Sequence, residues 1–377
     1  MPSDLPDPFA PAPAQEQFLD LLFNPAVDAT TLATRLEGFD AGAAGQETCA
    51  LLPLLEARWG EALPDAVRNQ AVEIRQYLGF KNRILLARLA EFIRKFSAAG
   101  IPVVLLKGAA LLQTCYPDPG LRLMGDADVM IPAKDIPEAL GMLKAEGHHW
   151  SCPRISRRML AYRHSIDTGD DDRFKIDLHW RVIALVWHPG DNEDFWTRSR
   201  PSALHGVETR VLAPEDLLLH LCVHQLSHFS FFQAGIEPDH PMRWIADALT
   251  LLRATPSFDW DLFCREARAR RFTLALSKAL SNLRRRWSAP VPDEVLSALN
   301  APLVSEFERA DYEGLVTPRS ASTGIQRGRL MWRRYLHANT TDPSLFLWAG
   351  FPAFLQHTML LPSFPKFLVQ FAKSRFR

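Results

Sequence analysis

The chain lacks an excess of charge of either sign, a paired cysteine motif and a long apolar run, and each absence removes a class of function. Lys plus Arg and Asp plus Glu stand at 43 each in 377 residues, so the bulk field expected of a nucleic-acid binder is missing. The five cysteines, Cys49, Cys115, Cys152, Cys222 and Cys264, are scattered and form no CxxC pair. They read as free thiols in a reducing cytosol, and a cytoplasmic protein is expected. No run of 18 apolar residues occurs, so no transmembrane helix is expected. The opening MPSDLPDPFAPAPAQ is Pro-rich and acidic and has neither the basic nor the apolar part of a signal peptide. There is no repeat period, and no low-complexity tract beyond that opening.

What is present is ordinary globular composition, 47% hydrophobic and 23% charged, in a chain long enough for two or three domains. Residues 1–14 are expected as a disordered lead-in and 15–100 as a helical region. In that region the clearest helix runs from Asn82 to Ala98. Its Leu85, Leu86, Leu89, Phe92, Ile93 and Phe96 follow the spacing of one buried face, and Gly100 stops it. Residues 101–212 read as an α+β core, a small mixed sheet with helices packed against it. Residues 213–340 read as all-helical. The tail 341–377 is aromatic and apolar and closes on Lys366, Lys373, Arg375 and Arg377.

The chemistry concentrates in PVVLLKGAALLQTCYPDPGLRLMGDADVMIP, from Pro102 to Pro132. Val103 to Leu106 reads as a buried strand ending in Lys107-Gly108, where a glycine lets backbone N–H groups approach an anion closely. Met124 to Ile131 reads as a second strand. On it Asp126 and Asp128, two residues apart, share a face. Two ionised carboxylates that close repel unless a cation lies between them, and oxygen ligands of this kind suit Mg²⁺ or Mn²⁺. Further on, Tyr162 to Thr168 and Arg173 to Val182 read as strands joined by Gly169-Asp170-Asp171-Asp172, with Asp177 facing opposite to Ile176 and Leu178.

Lys107-Gly108, Tyr116, Arg122, Asp126-Ala127-Asp128 and Ile176-Asp177-Leu178-His179-Trp180 together resemble the nucleotidyltransferase superfamily with the DNA polymerase β-like fold. The nearer likeness is to its bacterial branch of uncharacterised nucleotidyltransferases. It covers about Leu85 to Trp180 well and continues more weakly to about Arg253. The resemblance implies that Asp126, Asp128 and Asp177 hold two Mg²⁺ ions, one gripping the triphosphate of an NTP and one activating an acceptor hydroxyl. It also implies that Lys107, Gly108 and Arg122 serve the phosphates. The chain departs from the superfamily at Gly108-Ala109, where Gly-Gly or Gly-Ser is usual. With no hydroxyl there, Lys107 or the backbone must do that work.

The expected function is therefore transfer of a nucleoside monophosphate from an NTP to an acceptor hydroxyl on a small molecule, peptide or protein. A non-catalytic nucleotide-binding module, or one held at a membrane surface by the C-terminal tail, is the alternative. Nucleic acid is not expected as a partner. His220, His224 and His228, four apart on one helix, lack the Glu of a HExxH motif. They read as core or domain-interface residues, as do His148, His149 and His179. Asp247 lies inside an apolar helix, either facing the cleft or hydrogen-bonding within the core. Arg284 to Arg286, and Arg327, Arg329, Arg333 and Arg334, read as solvated helix faces.

Overall fold

The computed structural model of the chain describes residues 6–40, 44–150, 155–171, 174–183, 191–232, 241–300, 304–317, 324–341 and 350–358. Cys152 and the basic end of the tail, Lys366 to Arg377, lie outside the described residues. The expected α+β architecture is present: a six-stranded mixed sheet flanked by helices.

Helices α1 (Pro13–Phe23), α2 (Ala29–Leu36) and α3 (Gly45–Trp59) lead into α4 (Asp65–Ala98). The stretch read as a disordered lead-in is ordered from residue 6. Phe9 is fully buried against the indole of Trp244, with ring centroids 5.3 Å apart, and Gln225 donates to the Pro8 carbonyl. One buried aromatic and one buried backbone hydrogen bond outweigh a composition that otherwise favours disorder. Helix α4 is 34 residues long, twice the stretch read from the sequence. Its first half hides little apolar surface and exposes Tyr77 and Phe80, so it carries no clean amphipathic signal. The middle of the helix is held by tertiary contacts. Asn82, fully buried, donates to the carbonyls of Pro119 and Arg122 at 2.7 and 2.6 Å. Gly120 packs so closely on the Arg75 carbonyl that a Cβ would collide with it.

The sheet follows. β1 (Val104–Leu105), α5 (Lys107–Thr114), β2 (Ala127–Met130), α6 (Ile136–Ala145), α7 (Arg157–Tyr162), β3 (Ser165–Gly169) and β4 (Lys175–His179) make its first half. Helix α8 (Asp191–Arg198), β5 (Arg200–Leu204) and β6 (Val207–Val211) complete it. The strand order is β3-β4-β2-β1-β6-β5. Strand β2 runs parallel to β4 and antiparallel to β1, while β1 runs parallel to β6. The central strands β1 and β2 are buried throughout, and Asp128 is the one charged residue between them. The residues of 162–164, read as part of a strand, instead close helix α7 and the turn after it, so β3 begins at Ser165. The β5–β6 hairpin was not assigned from the sequence. It turns on His205-Gly206, both with positive φ of 47° and 75°, as a two-residue turn of this kind needs.

The second half is helical: α9 (Pro214–Phe232), α10 (Pro241–Ala254), α11 (Trp260–Ala269), α12 (Thr273–Trp287), α13 (Asp293–Asn300), α14 (Glu306–Val316), α15 (Gly324–Thr341) and α16 (Gly350–Thr358). One continuous apolar core joins α1, the sheet and the helices through α14. Of the basic stretches, Arg284 pairs with Asp293 and Arg286 with Glu16. Trp287 and Tyr335, each next to a basic stretch in the sequence, are fully buried. No disulfide joins Cys49, Cys115, Cys222 or Cys264, and no described helix is long and apolar enough to cross a membrane.

Candidate active site

The site forms where β1 ends and α5 begins, against the neighbouring strands β2 and β4. Parallel pairing sets Asp128 of β2 beside Asp177 of β4, and antiparallel pairing sets Asp167 of β3 beside Asp177. Residues paired across a sheet point to one face, so three carboxylates form a row over three strands. His179, two residues beyond Asp177, shares that face. Asp128, Asp177 and His179 each offer a ligand atom within 4.8 Å of one another.

The row is not left to repel itself. The Lys107 ammonium donates to Asp128 Oδ1 at 2.6 Å and lies 3.9 Å from Asp177 Oδ2. His179 Nε2 lies 2.8 Å from Asp177 Oδ2 and 3.4 Å from Asp128 Oδ1. In the chain alone, the positive charge between Asp128 and Asp177 is that of Lys107. Lys107 reaches this position from a left-handed backbone, φ 39°, which costs a non-glycine residue about 1–3 kcal/mol where the surroundings hold it.

These contacts set the ionisation. Burial opposes charge on Lys107, but Asp128 and Asp177 outweigh it and hold the ammonium above its ordinary pKa. Burial likewise opposes charge on His179, and Asp177 with the two hydrogen bonds lifts its pKa to about 9. Asp177 and Asp128 resist burial because His179 and Lys107 hold both below the usual carboxylate range. Asp126 precedes β2 and is exposed at the rim. The negative charge of Asp128, with burial second, pushes its pKa up to about 6. Asp167 is also exposed and is raised by burial and by Asp177. Four carboxylates therefore face two cations, and the excess of negative charge suits a divalent ion.

The residues fit such an ion. Two carboxylates and one imidazole are a donor set that Mn²⁺ accepts readily and Mg²⁺ accepts through its oxygens. Asp177 Oδ1 is buried with no hydrogen-bond partner, in a residue 9% exposed, and so has unused acceptor capacity.

Of the residues expected at the phosphates, Arg122 is engaged within the chain. The Arg122 guanidinium is buried and donates to Asp247 through Nε at 2.8 Å and Nη2 at 2.7 Å. Tyr116 donates to the same carboxylate at 2.9 Å. Arg122 is thereby committed to α10, and Asp247 proves to be a core hydrogen-bonding residue. Gly108 owes its lack of a side chain to the same group, because a Cβ there would collide with Arg122 Nη1 and lie 3.0 Å from Met124 Cγ. The Lys107-Gly108 pair is thus split, with the lysine serving the acidic row and the glycine making room for the arginine.

His179 and Asp167 were not read as site residues. The signal for each was available: His179 lies at i+2 from a strand aspartate, and a hairpin turning on 169–172 brings 167 opposite 177. Helix α9 supplies a further neighbour, His220, whose ring centroid is 6.1 Å from that of His179. Its Nδ1 donates to the Val182 carbonyl at 2.7 Å, and burial first of all lowers its pKa to about 3, so it is neutral. His220 is a buried histidine as expected, but it lies against the site.

Among known proteins, no curated protein matches the chain. The chain is similar to an antigenic nucleotidyltransferase-like protein from Paracoccidioides brasiliensis of known structure, at 16% identity. The match covers 58% of this chain and 92% of that one with a TM-score of 0.32, too low to bear on the fold. The family model described as uncharacterised nucleotidyltransferase matches residues 48–288, which spans the sheet, the acidic row and the Arg122–Asp247 pair. Since that match takes in well over half of the 377 residues, the chain belongs to the uncharacterised nucleotidyltransferase family.

Proposed function

We propose that the protein transfers a nucleoside monophosphate from an NTP to an acceptor hydroxyl, in the cytosol, with a divalent cation at Asp128, Asp177 and His179. The observation that carries the proposal is the register of β2 on β4, which sets two buried carboxylates side by side with an imidazole and leaves net negative charge. When bound, the cation supplies charge neutralisation and Lewis acidity at the phosphates. Asp128 and Asp177 would hold it, joined by His179 once its Nε2 gives up the proton that it shares with Asp177 in the metal-free chain. Lys107, at the start of α5, would balance phosphate charge. The acceptor oxygen forms a bond to the α-phosphorus as the bond to pyrophosphate breaks, and Asp126 at the rim takes the hydroxyl proton. Balanced overall charge supports a small molecule, peptide or protein as acceptor over nucleic acid.

Titration calorimetry with each of the four NTPs, in Mg²⁺ and in excess chelator, tests this. Binding is expected in Mg²⁺ and lost in chelator and in Asp177→Asn. Equal affinity in all three conditions would refute the proposal.

A further inference from the structure

Lys107 engages the same carboxylates that an ion at the acidic row would need. Its Nζ is 2.6 Å from Asp128 Oδ1 and 3.9 Å from Asp177 Oδ2, the two carboxylates that belong to the three-residue ligand group. Its side chain is 15% exposed, so the ammonium is enclosed and not a surface charge swinging past. Its backbone is held left-handed, an arrangement that persists only where surrounding contacts fix it. An ammonium and a divalent cation cannot share the same two carboxylates at contact distance, because two positive charges a few ångströms apart in a buried site repel strongly. His179 does not face this conflict in the same way, since an imidazole that gives up its proton becomes a ligand.

Resting on the reading of this site as a nucleotidyl-transfer centre, we propose that Lys107 is a resident counter-cation that yields its place to the metal and so positions itself for the phosphates. Metal-free protein keeps the carboxylates neutralised by Lys107. On exchange, the ammonium leaves the row with a free positive charge at the N-terminus of α5, facing the space the nucleotide enters. Lys107 is therefore a positioning residue that couples the order of binding, cation first and triphosphate second. The coupling has a sign that a merely supporting lysine would not give: deleting the charge strengthens metal binding and weakens nucleotide binding.

Two measurements decide it, both with Mn²⁺ alone as the probe and no nucleotide. Electron paramagnetic resonance titration is expected to give Lys107→Met about tenfold tighter Mn²⁺ binding than wild type, or more, since one competing charge is removed. Equal or weaker binding in that variant overturns the exchange. Should Lys107→Met fail to fold, wild type decides. Reductive methylation at residue 107, read by peptide mass spectrometry, is expected to speed up when Mn²⁺ is added, and an unchanged rate overturns the exchange. Asp128→Asn separates this failure from that of the underlying reading. Loss of Mn²⁺ binding in Asp128→Asn places the ion at the row whatever Lys107 does. Unchanged Mn²⁺ binding there puts the ion elsewhere and overturns both proposals.

Discussion

Asp247→Ala tests whether Arg122 is a structural residue or a phosphate ligand. The carboxylate removed accepts two hydrogen bonds from Arg122, at 2.8 and 2.7 Å, and one from Tyr116 at 2.9 Å. Arg122 is 8% exposed and Asp247 2%, so solvent offers the guanidinium little replacement. Breaking a buried ion pair by removing one partner costs about 3–5 kcal/mol, and the orphaned Tyr116 hydroxyl adds about 1 kcal/mol. Replacing both partners with apolar residues of similar volume leaves no orphaned charge and is often near neutral. Urea unfolding should therefore show Asp247→Ala destabilised by about 3–6 kcal/mol, and Arg122→Met/Asp247→Leu by clearly less than that single variant. The expected interaction energy across the cycle is at least about 2 kcal/mol. If Asp247→Ala unfolds within about 1 kcal/mol of wild type, the buried-pair reasoning is refuted. Arg122 would then be available to a ligand.

Gly108→Ala should destabilise the protein by about 1–3 kcal/mol without any ligand, because Arg122 is pinned and cannot make way for the new Cβ. Gly141→Ala, in helix α6 with open space around its Cβ, should instead stabilise by about 0.5–1 kcal/mol. Paired melting curves check both, and a neutral Gly108→Ala would refute the packing account of that glycine. His179 gives a pH signature. Its folded pKa is raised from 6.5 to about 9, so its contribution is complete below pH 6.5 and is lost as pH rises through 9. Denaturant unfolding of metal-free protein should lose about 3 kcal/mol over that window relative to His179→Gln. Parallel profiles for the two proteins would mean that His179 is not charged in the fold.

The sequence by itself determined the elements whose signal is local. The apolar run before Lys107 and the strand carrying Asp128 are recognisable from a few residues of period and composition, though Asp126 falls just ahead of that strand. So is the hairpin whose turn holds Gly169 and Asp170, because each is settled by backbone preference and by which face is apolar. What only the tertiary structure decided is who meets whom. Nothing in the sequence says that Asp128 pairs with Asp177 rather than lying one residue out of register, and such a slip would turn the carboxylates to opposite faces. Nor is it local information that Lys107 neutralises the row while Arg122, fifteen residues on, is drawn away to Asp247 on α10. Both are long cationic side chains near the same acids. Which acid each one reaches depends on burial, since an enclosed charge must find the partner its own place in the fold presents.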